Sequence, residues 1–253
     1  MSRIRSTIVC AVALACALPF VAGGQTDVRG AAPGTSWTSL GRGVEHLPLA
    51  SGSIQGHAFR FRPAEVEMRV VPAAEGHARV AAIAPARDAI ATNASFFDEA
   101  GKTMGLAVDR GRSLGGRRIS RWAAFVVDGA SARIVAGATL EDVLGHDLVL
   151  QGLPRLVVGG AVPRLKPQRA ERTAVCVEDA RVVLVVTTSR VDATEFARFL
   201  AGAPDAGGLG CRDALNFDGG SSTQLAAHWG TFEATIDGAW GVPNALVVTP
   251  RTR

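Results

Sequence analysis

The segment DALNFDGGSSTQL, residues 213–225, carries the residue types best suited to chemistry. A mainly apolar stretch leads to Asp218. Two glycines follow it, and after them come Ser221, Ser222 and Thr223. Adjacent glycines permit a left-handed backbone and close approach of a ligand, and successive N–H groups beside hydroxyls suit an anion. A carboxylate at the edge of such a turn can act as base, nucleophile or orienting acceptor. The same pattern is also typical of a simple turn with a serine cap, so it leaves both interpretations open.

Short strand-like segments must position this turn, because most of the chain alternates apolar and polar residues over brief stretches. Residues 57–63 and 66–71 show this alternation, which predicts antiparallel strands with one buried face. Residues 181–187, RVVLVVT, predict a central strand that is apolar throughout. The sequence lacks a regular succession of strands and helices, a P-loop, a GxSxG motif and an HExxH motif. These absences disfavour a doubly wound nucleotide-binding fold.

Three segments favour helices. Residues 80–90 are rich in alanine, although Pro85 interrupts them, and residues 139–144 begin with a capping pattern. Residues 192–200 begin with an aspartate and continue with an apolar face. We therefore expect the α+β class, with residues 37–253 forming a single domain of mixed or antiparallel β-sheets and a few packed helices.

The N-terminus has the three-part layout of a secretory signal peptide. Residues 1–23 begin with a basic stretch, continue with apolar residues and end with small ones, and residues 24–36 predict a flexible mature N-terminus. An uncleaved membrane anchor and lipidation at Cys16 are the alternatives. After cleavage we expect no membrane span and a secreted or periplasmic protein.

Composition narrows the possible partners. Apolar residues make up 47% of the 253, and the formal net charge is +4, from 27 Lys and Arg against 23 Asp and Glu. The chain has no long basic run, no tyrosine and few other aromatic residues, so we expect no nucleic-acid partner. The basic balance favours an anionic substrate or cell-envelope surroundings. The five histidines lack metal-ligand spacing, so no cofactor or metal is predicted, although Asp218 with a phosphate is compatible with a divalent cation.

Signal removal leaves two cysteines, Cys176 and Cys211. An exported protein can pair them in a disulfide, and two buried thiols are the alternative.

Several segments, in chain order, resemble motifs of the phosphodiester glycosidase family. Residues 93–98 (NASFFD) resemble its N-G-x-F-F-D segment, with alanine in place of glycine, and residues 105–108 (GLAV) follow where expected. Residues 151–157 (QGLPRLV) are similar to a Q-x-G-P-x-L-V strand, and residues 172–175 match an R-T-A-V element. Residues 216–223 (NFDGGSST) are similar to N-L-D-G-G-G-S-S-T, one glycine shorter.

The resemblance extends over about residues 40–250 and implies hydrolysis of a sugar-1-phosphodiester between the anomeric carbon and the phosphate oxygen. It implies three catalytic residues: Asp218 beside the anomeric carbon, Arg172 on the phosphate, and Asn93 on a sugar hydroxyl or N-acetyl group. The structural alternatives are an ion pair between Arg172 and Glu171, and a role as simple turn residues for Asn93 and Asp98. The remaining predicted substrate-binding residues are Gly219, Gly220, Ser221, Ser222, Thr173, Asn216 and Asp98.

The expected function is an exported hydrolase that acts on phosphodiester-linked sugars of envelope or extracellular polysaccharides. A non-catalytic module that binds a phosphoglycan in the same pocket is the alternative. A protease or esterase ranks last, because no histidine is placed in the sequence to activate Ser222.

Overall fold

The computed structural model describes residues 36–137 and 145–251, which are built mainly from antiparallel strands. Strands account for 48% of the residues and helices for 9%. The predicted α+β class is therefore wrong, and the fold is β-rich. Two α-helices occur in the described residues, α1 (Val80–Ile83) and α2 (Ala193–Ala201). The expected signal peptide and the helix predicted at residues 139–144 lie outside the described residues.

The largest sheet has seven strands. In spatial order these are β1 (Thr38–Gly41), β2 (Val44–Ser51), β3 (Ile54–Phe61), β14 (Arg181–Thr187), β13 (Thr173–Glu178), β16 (Asp213–Asn216) and β11 (Arg155–Val157). The central position of β14 confirms the prediction made from its apolar sequence.

Two five-stranded sheets complete the framework. One contains, in spatial order, β7 (Arg112–Ser113), β6 (Ala107–Asp109), β10 (Leu148–Gly152), β8 (Ala123–Asp128) and β9 (Ser131–Ala136). The other contains β18 (Phe232–Ile236), β17 (Leu225–Trp229), β5 (Ala89–Asn93), β19 (Asn244–Pro250) and β4 (Val66–Pro72). A separate pair joins β12 (Arg169–Ala170) to β15 (Val191–Asp192).

The main hydrophobic core is made from inward-facing residues of all three large sheets. Because side chains alternate along a strand, β14 also buries its opposite face. Val182 and Leu184 belong to the main core, whereas Val183 packs in a second cluster with Phe196 and Leu200 of α2. Helix α2 thus covers the outer face of the seven-stranded sheet. The side chain of Asp192, the N-cap residue of α2, accepts hydrogen bonds from the N–H groups of Thr194 and Glu195.

A disulfide joins Cys176 of β13 to Cys211 within the cluster beneath α2. The structure therefore has the pairing, not two buried thiols. It links residues 35 positions apart in sequence, and Cys211 lies two residues before the start of β16.

No helix in the described part of the chain combines the length and apolar character needed to cross a bilayer. The described residues all fall within one compact unit.

Candidate active site

Arg172 and Asp218 lie just beyond the ends of two paired strands, β13 and β16. The two strands are antiparallel, with Ala174 opposite Asn216. Extending this register by two residues, past the end of both strands, pairs position 172 with position 218. Main-chain hydrogen bonds continue between the two segments beyond the strand ends. Two of the three residues predicted to be catalytic therefore lie on adjacent main-chain segments, although the Arg172 side chain bonds to Gln168 and the Asp218 side chain to Gly219 and Ser222.

Asp218 is half-buried and its carboxylate is held in a defined orientation. Its Oδ1 accepts a hydrogen bond from the Gly219 N–H at 2.9 Å, and the Ser222 side chain also bonds to the carboxylate. Burial raises the pKa of Asp218, and the hydrogen bonds from Ser222 and Gly219 partly oppose this. An oriented carboxyl with a raised pKa is suited to acid–base or nucleophilic work.

The two glycines of the turn are required by its geometry. A Cβ at Gly219 would lie 2.7 Å from the main-chain oxygen of Glu171. Gly220 has a φ of +60° and donates its N–H to that same oxygen at 2.8 Å. The turn thus packs directly against the segment that leads into Arg172.

The main-chain amides of the turn are mostly used within the protein. The N–H groups of Gly219, Gly220, Ser222 and Thr223 all donate to nearby protein oxygens. Most of the main-chain N–H groups that were predicted to bind an anion therefore bond to protein oxygens instead. Of the two serines, Ser221 is exposed, whereas Ser222 is buried and its side chain bonds to Asp218.

Arg172 is almost fully buried. Its amino groups donate to the main-chain and side-chain oxygens of Gln168, and its Nε is buried without a protein partner. Burial lowers the pKa of Arg172, while the negative charge of Asp192 opposes that shift. The structure has no ion pair between Arg172 and Glu171, two residues it describes, so that alternative is not the one observed.

Asn93 lies at the end of β5 and is 0% exposed. Its Nδ2 donates to the main-chain oxygen of Asp218 at 2.7 Å. Its Oδ1 accepts from the Thr173 hydroxyl at 2.7 Å and from the Gln224 N–H at 3.0 Å. Asn93 and the fully buried Thr173 therefore hold the turn in place and are not presented to a ligand in this structure.

The other two predicted substrate-binding residues differ in position. Asn216 is buried, and its Nδ2 donates to the main-chain oxygen of Leu153 at 3.1 Å. Asp98 is exposed, and its Oδ1 accepts from the Lys102 N–H at 2.8 Å, as expected of a turn residue.

Three buried polar atoms around the turn have no protein partner in the described part of the chain. They are Arg172 Nε, Asn216 Oδ1 and Thr223 Oγ1. Buried polar groups are usually satisfied, so these three atoms are available to a water molecule or a ligand, as are four unpartnered buried atoms elsewhere in the described residues.

Two clefts flank the turn, and Ser221 contributes to both. The first, here called the Trp240 cleft, has a volume of about 820 Å³. It is lined by His77, Phe97, Asp98, Glu99, Ala100, Gly101, Ser221, Ser222, Trp240 and Gly241. The second, of about 540 Å³, includes Glu171, Thr187 and Gly220. Trp240 is not predictable as a site residue from the sequence, because a single tryptophan between small residues carries no recognisable motif.

A third cleft, of about 870 Å³, adjoins the Trp240 cleft because Asp98 lines both. Four basic residues lie along it: Lys102, Arg117, Arg118 and Arg121. With four basic side chains against the single carboxylate of Asp98, the third cleft carries a net positive charge, which favours an anionic ligand there.

Within residues 36–137 and 145–251, no group of three or more His, Cys, Asp or Glu side chains is arranged to hold a metal ion. The prediction that no cofactor is needed stays a prediction.

Solved structures share this fold. The catalytic domain of zebrafish N-acetylglucosamine-1-phosphodiester alpha-N-acetylglucosaminidase, described as auto-inhibited by its pro-peptide, aligns with a TM-score of 0.62 at 18% identity, covering 87% of each chain. A hypothetical protein from Synechocystis aligns with a TM-score of 0.55 at 18% identity. The alignment covers 86% of the present chain and 64% of the Synechocystis chain. A Burkholderia pseudomallei protein, provisionally described as exported, aligns with a TM-score of 0.50 at 14% identity. The alignment covers 77% of the present chain and 73% of the Burkholderia chain.

Sequence comparison gives a consistent result at the level of the family. No curated protein matches the chain significantly. The family model for phosphodiester glycosidase, however, matches residues 86–249, which is more than half of the chain and includes both Asn93 and the turn at Asp218. The protein therefore belongs to the phosphodiester glycosidase family.

Proposed function

We propose that the protein is an exported hydrolase that cleaves sugar-1-phosphodiesters in envelope or extracellular glycans. The observation that carries this proposal is Asp218, an oriented carboxyl with a raised pKa that bonds to Ser222 of the Trp240 cleft, on a segment adjacent to the one that carries the buried Arg172. Family membership supplies the reaction class, and the geometry supplies groups able to perform it.

The reaction breaks the bond between the anomeric carbon and the phosphate oxygen. Water supplies a hydroxyl to the sugar, and the phosphate leaves as a phosphomonoester. Because phosphate is already a good leaving group, its protonation matters less than in an ordinary glycoside. The main task is to stabilise the oxocarbenium-like sugar, and Asp218 is the carboxylate assigned to this, as base, nucleophile or electrostatic stabiliser.

Arg172 is assigned to the phosphate. A guanidinium is planar and pairs well with phosphate oxygens, and its Nε is buried without a protein partner. A charged group kept out of water interacts more strongly with an opposite charge. The hydroxyls of Ser221 and Ser222 are assigned to the same anion, or to sugar hydroxyl groups.

Export is supported by three observations. The N-terminal residues have the layout of a signal peptide, the chain carries a disulfide, and one structural neighbour is provisionally described as exported.

The alternative is a non-catalytic module that binds a phosphoglycan in the same pocket. One observation favours it: the amino groups of Arg172 bond to Gln168, and most amides of the turn bond internally. Fewer donors are therefore directed at a phosphate than the motif alone suggests.

Incubation with a panel of N-acetylglucosamine-1-phosphodiesters separates the two functions. Release of free sugar at a rate proportional to protein concentration supports the hydrolase. Saturable binding without any product supports the binding module and contradicts the hydrolase.

A further inference from the structure

Trp240 is the most exposed large hydrophobic side chain in the described part of the chain. Its exposed fraction is 62%, whereas Met104, Leu153 and Val158 lie between 36% and 38%. Exposing a tryptophan forgoes the free energy gained by burying its large apolar surface. Such exposure at the edge of a cleft suggests that the ring contacts a ligand.

The backbone that carries Trp240 is firmly anchored. Its carbonyl oxygen accepts from Gln224 Nε2 at 2.9 Å and from Arg79 at 3.4 Å. Its N–H donates to the Ser221 carbonyl at 3.3 Å, and the Ala239 N–H donates to the same oxygen at 2.7 Å. Arg79 also donates to the carbonyl of Ala239 at 3.1 Å. The main chain of Trp240 is therefore held in place, and little ordering of the main chain is needed when a ligand binds.

These anchors connect Trp240 to the proposed catalytic turn. Ser221, which accepts from the Trp240 N–H, lies next to Ser222, and Ser222 bonds to the Asp218 carboxylate. Ser221, Ser222 and Trp240 all line the same cleft. The tryptophan is thus fixed to the same short segment that orients Asp218.

The remaining wall of the Trp240 cleft combines apolar and polar groups. The His77 and Phe97 rings lie 5.4 Å apart, and Asp98 and Glu99 add carboxylates. A pyranose ring presents the matching surfaces, since its C–H face is apolar and its hydroxyls form hydrogen bonds. An aromatic face with nearby hydroxyls and carboxylates suits this type of ligand.

We propose that Trp240 is the stacking platform for a pyranose ring in the Trp240 cleft. This inference rests on the proposed function, and it deepens that function by assigning the sugar of the phosphodiester to the Trp240 side of the turn. The face of the tryptophan ring packs against the C–H face of the sugar, and the anomeric carbon is directed towards Asp218.

Tryptophan fluorescence provides a direct test of the contact. Trp122 and Trp229 are buried, and Trp37 is half-buried with Arg60 4.4 Å from its ring centre, so Trp240 is the fluorophore best placed to respond to a ligand. The Asp218→Asn protein is titrated with N-acetylglucosamine-1-phosphate, with inorganic phosphate as the control ligand. We expect a saturable change with the sugar phosphate that is absent with phosphate and absent when Trp240→Phe is added.

Kinetics and calorimetry then test the stacking. Trp240→Ala is expected to raise KM, and the dissociation constant of the sugar phosphate, by about tenfold, which corresponds to about 1.4 kcal/mol. Trp240→Phe, which keeps an aromatic face, is expected to restore most of the affinity. Trp37→Phe, which lies outside the cleft, is expected to leave both constants unchanged.

The outcomes separate this inference from the proposed function. Turnover by the wild type with unchanged constants in Trp240→Ala refutes the stacking role and leaves the hydrolase standing. Sugar-phosphate binding that depends on Trp240, without turnover, supports the platform and refutes the hydrolase. If the wild type releases no sugar and the titration gives no fluorescence change, both the hydrolase and the stacking platform are refuted.

Discussion

Asn93 donates from its Nδ2 to the main-chain oxygen of Asp218 at 2.7 Å, and so joins a five-stranded sheet to the turn that follows a strand of the seven-stranded sheet. The same amide accepts from Thr173, at the start of β13. A single buried side chain thus ties β5, β13 and the turn together. The position of Asp218 relative to Arg172 depends on this junction.

Asn93→Ala is expected to destabilise the protein. It leaves the Thr173 hydroxyl, the Gln224 N–H and the Asp218 carbonyl without their partner in a buried position, which costs about 3 kcal/mol or more. Denaturant unfolding measures this loss. The matched control, Thr173→Val, removes only one of the three bonds and is expected to cost about 1 kcal/mol. Equal stability of Asn93→Ala and wild type would contradict the assigned role.

Ser222→Ala is expected to move the acidic limb of the pH–rate profile to higher pH. The Ser222 hydrogen bond lowers the pKa of Asp218, so its removal raises that pKa further. If Asp218 acts as the ionised carboxylate, more of it is then protonated and inactive at a given acidic pH. The profile of kcat/KM against pH measures the shift. A limb that stays in place, or moves to lower pH, would count against Asp218 as the titrating group.

Removal of the disulfide is expected to lower stability without disturbing the site chemistry. The bridge spans 35 residues of sequence, and loop-closure entropy then contributes about 4 kcal/mol. The free energy of unfolding of the Cys176→Ala/Cys211→Ala double variant, measured with denaturant, should be lower than that of the wild type by about this amount. Its kcat at a temperature where it remains folded should be close to that of the wild type. The same unfolding midpoint with and without the bridge would contradict this estimate.

Arg172→Lys is expected to lower kcat/KM by about a hundredfold, because lysine keeps the positive charge but loses the planar fork and the Nε donor. Steady-state kinetics on a sugar-1-phosphodiester measures the loss. Arg169→Lys is the matched control, since Arg169 is exposed and its side chain bonds to the carbonyl of Arg190. Equal effects of the two substitutions would show that Arg172 has no special contact with the phosphate.

The local features of the site were predictable from sequence, whereas their spatial relationships were not. The glycine turn at Asp218 was recognisable because glycines and hydroxyls in succession dictate its conformation. The adjacency of the segments that carry Arg172 and Asp218 depends on strand register, which a sequence does not state. Asn93 was expected to contact sugar, but burial at the junction of two sheets engages its amide within the protein.

The predicted α+β class failed because sheet pairing overrode local helix propensity. Residues 80–90 are alanine-rich, yet only Val80–Ile83 is helical, and Ala89–Asn93 forms a strand paired on both sides. The small side chains of Ala89 and Ala91 pack in one cluster with Val80 of α1. This contact depends on the tertiary structure, so helix propensity alone does not predict that these alanines belong to a strand. Helix α2 was predicted correctly, since its aspartate cap and apolar face are local signals.

The most direct measurement is the rate of sugar release from an N-acetylglucosamine-1-phosphodiester by the wild type and by Asp218→Asn. Asparagine keeps the shape and the hydrogen bond from Gly219, so the variant should fold as well as the wild type, and its unfolding midpoint checks this. We predict measurable release by the wild type and a loss of about a thousandfold or more in the variant, with folding intact. Undiminished release by a folded Asp218→Asn protein would contradict the assignment of Asp218 as the catalytic carboxylate.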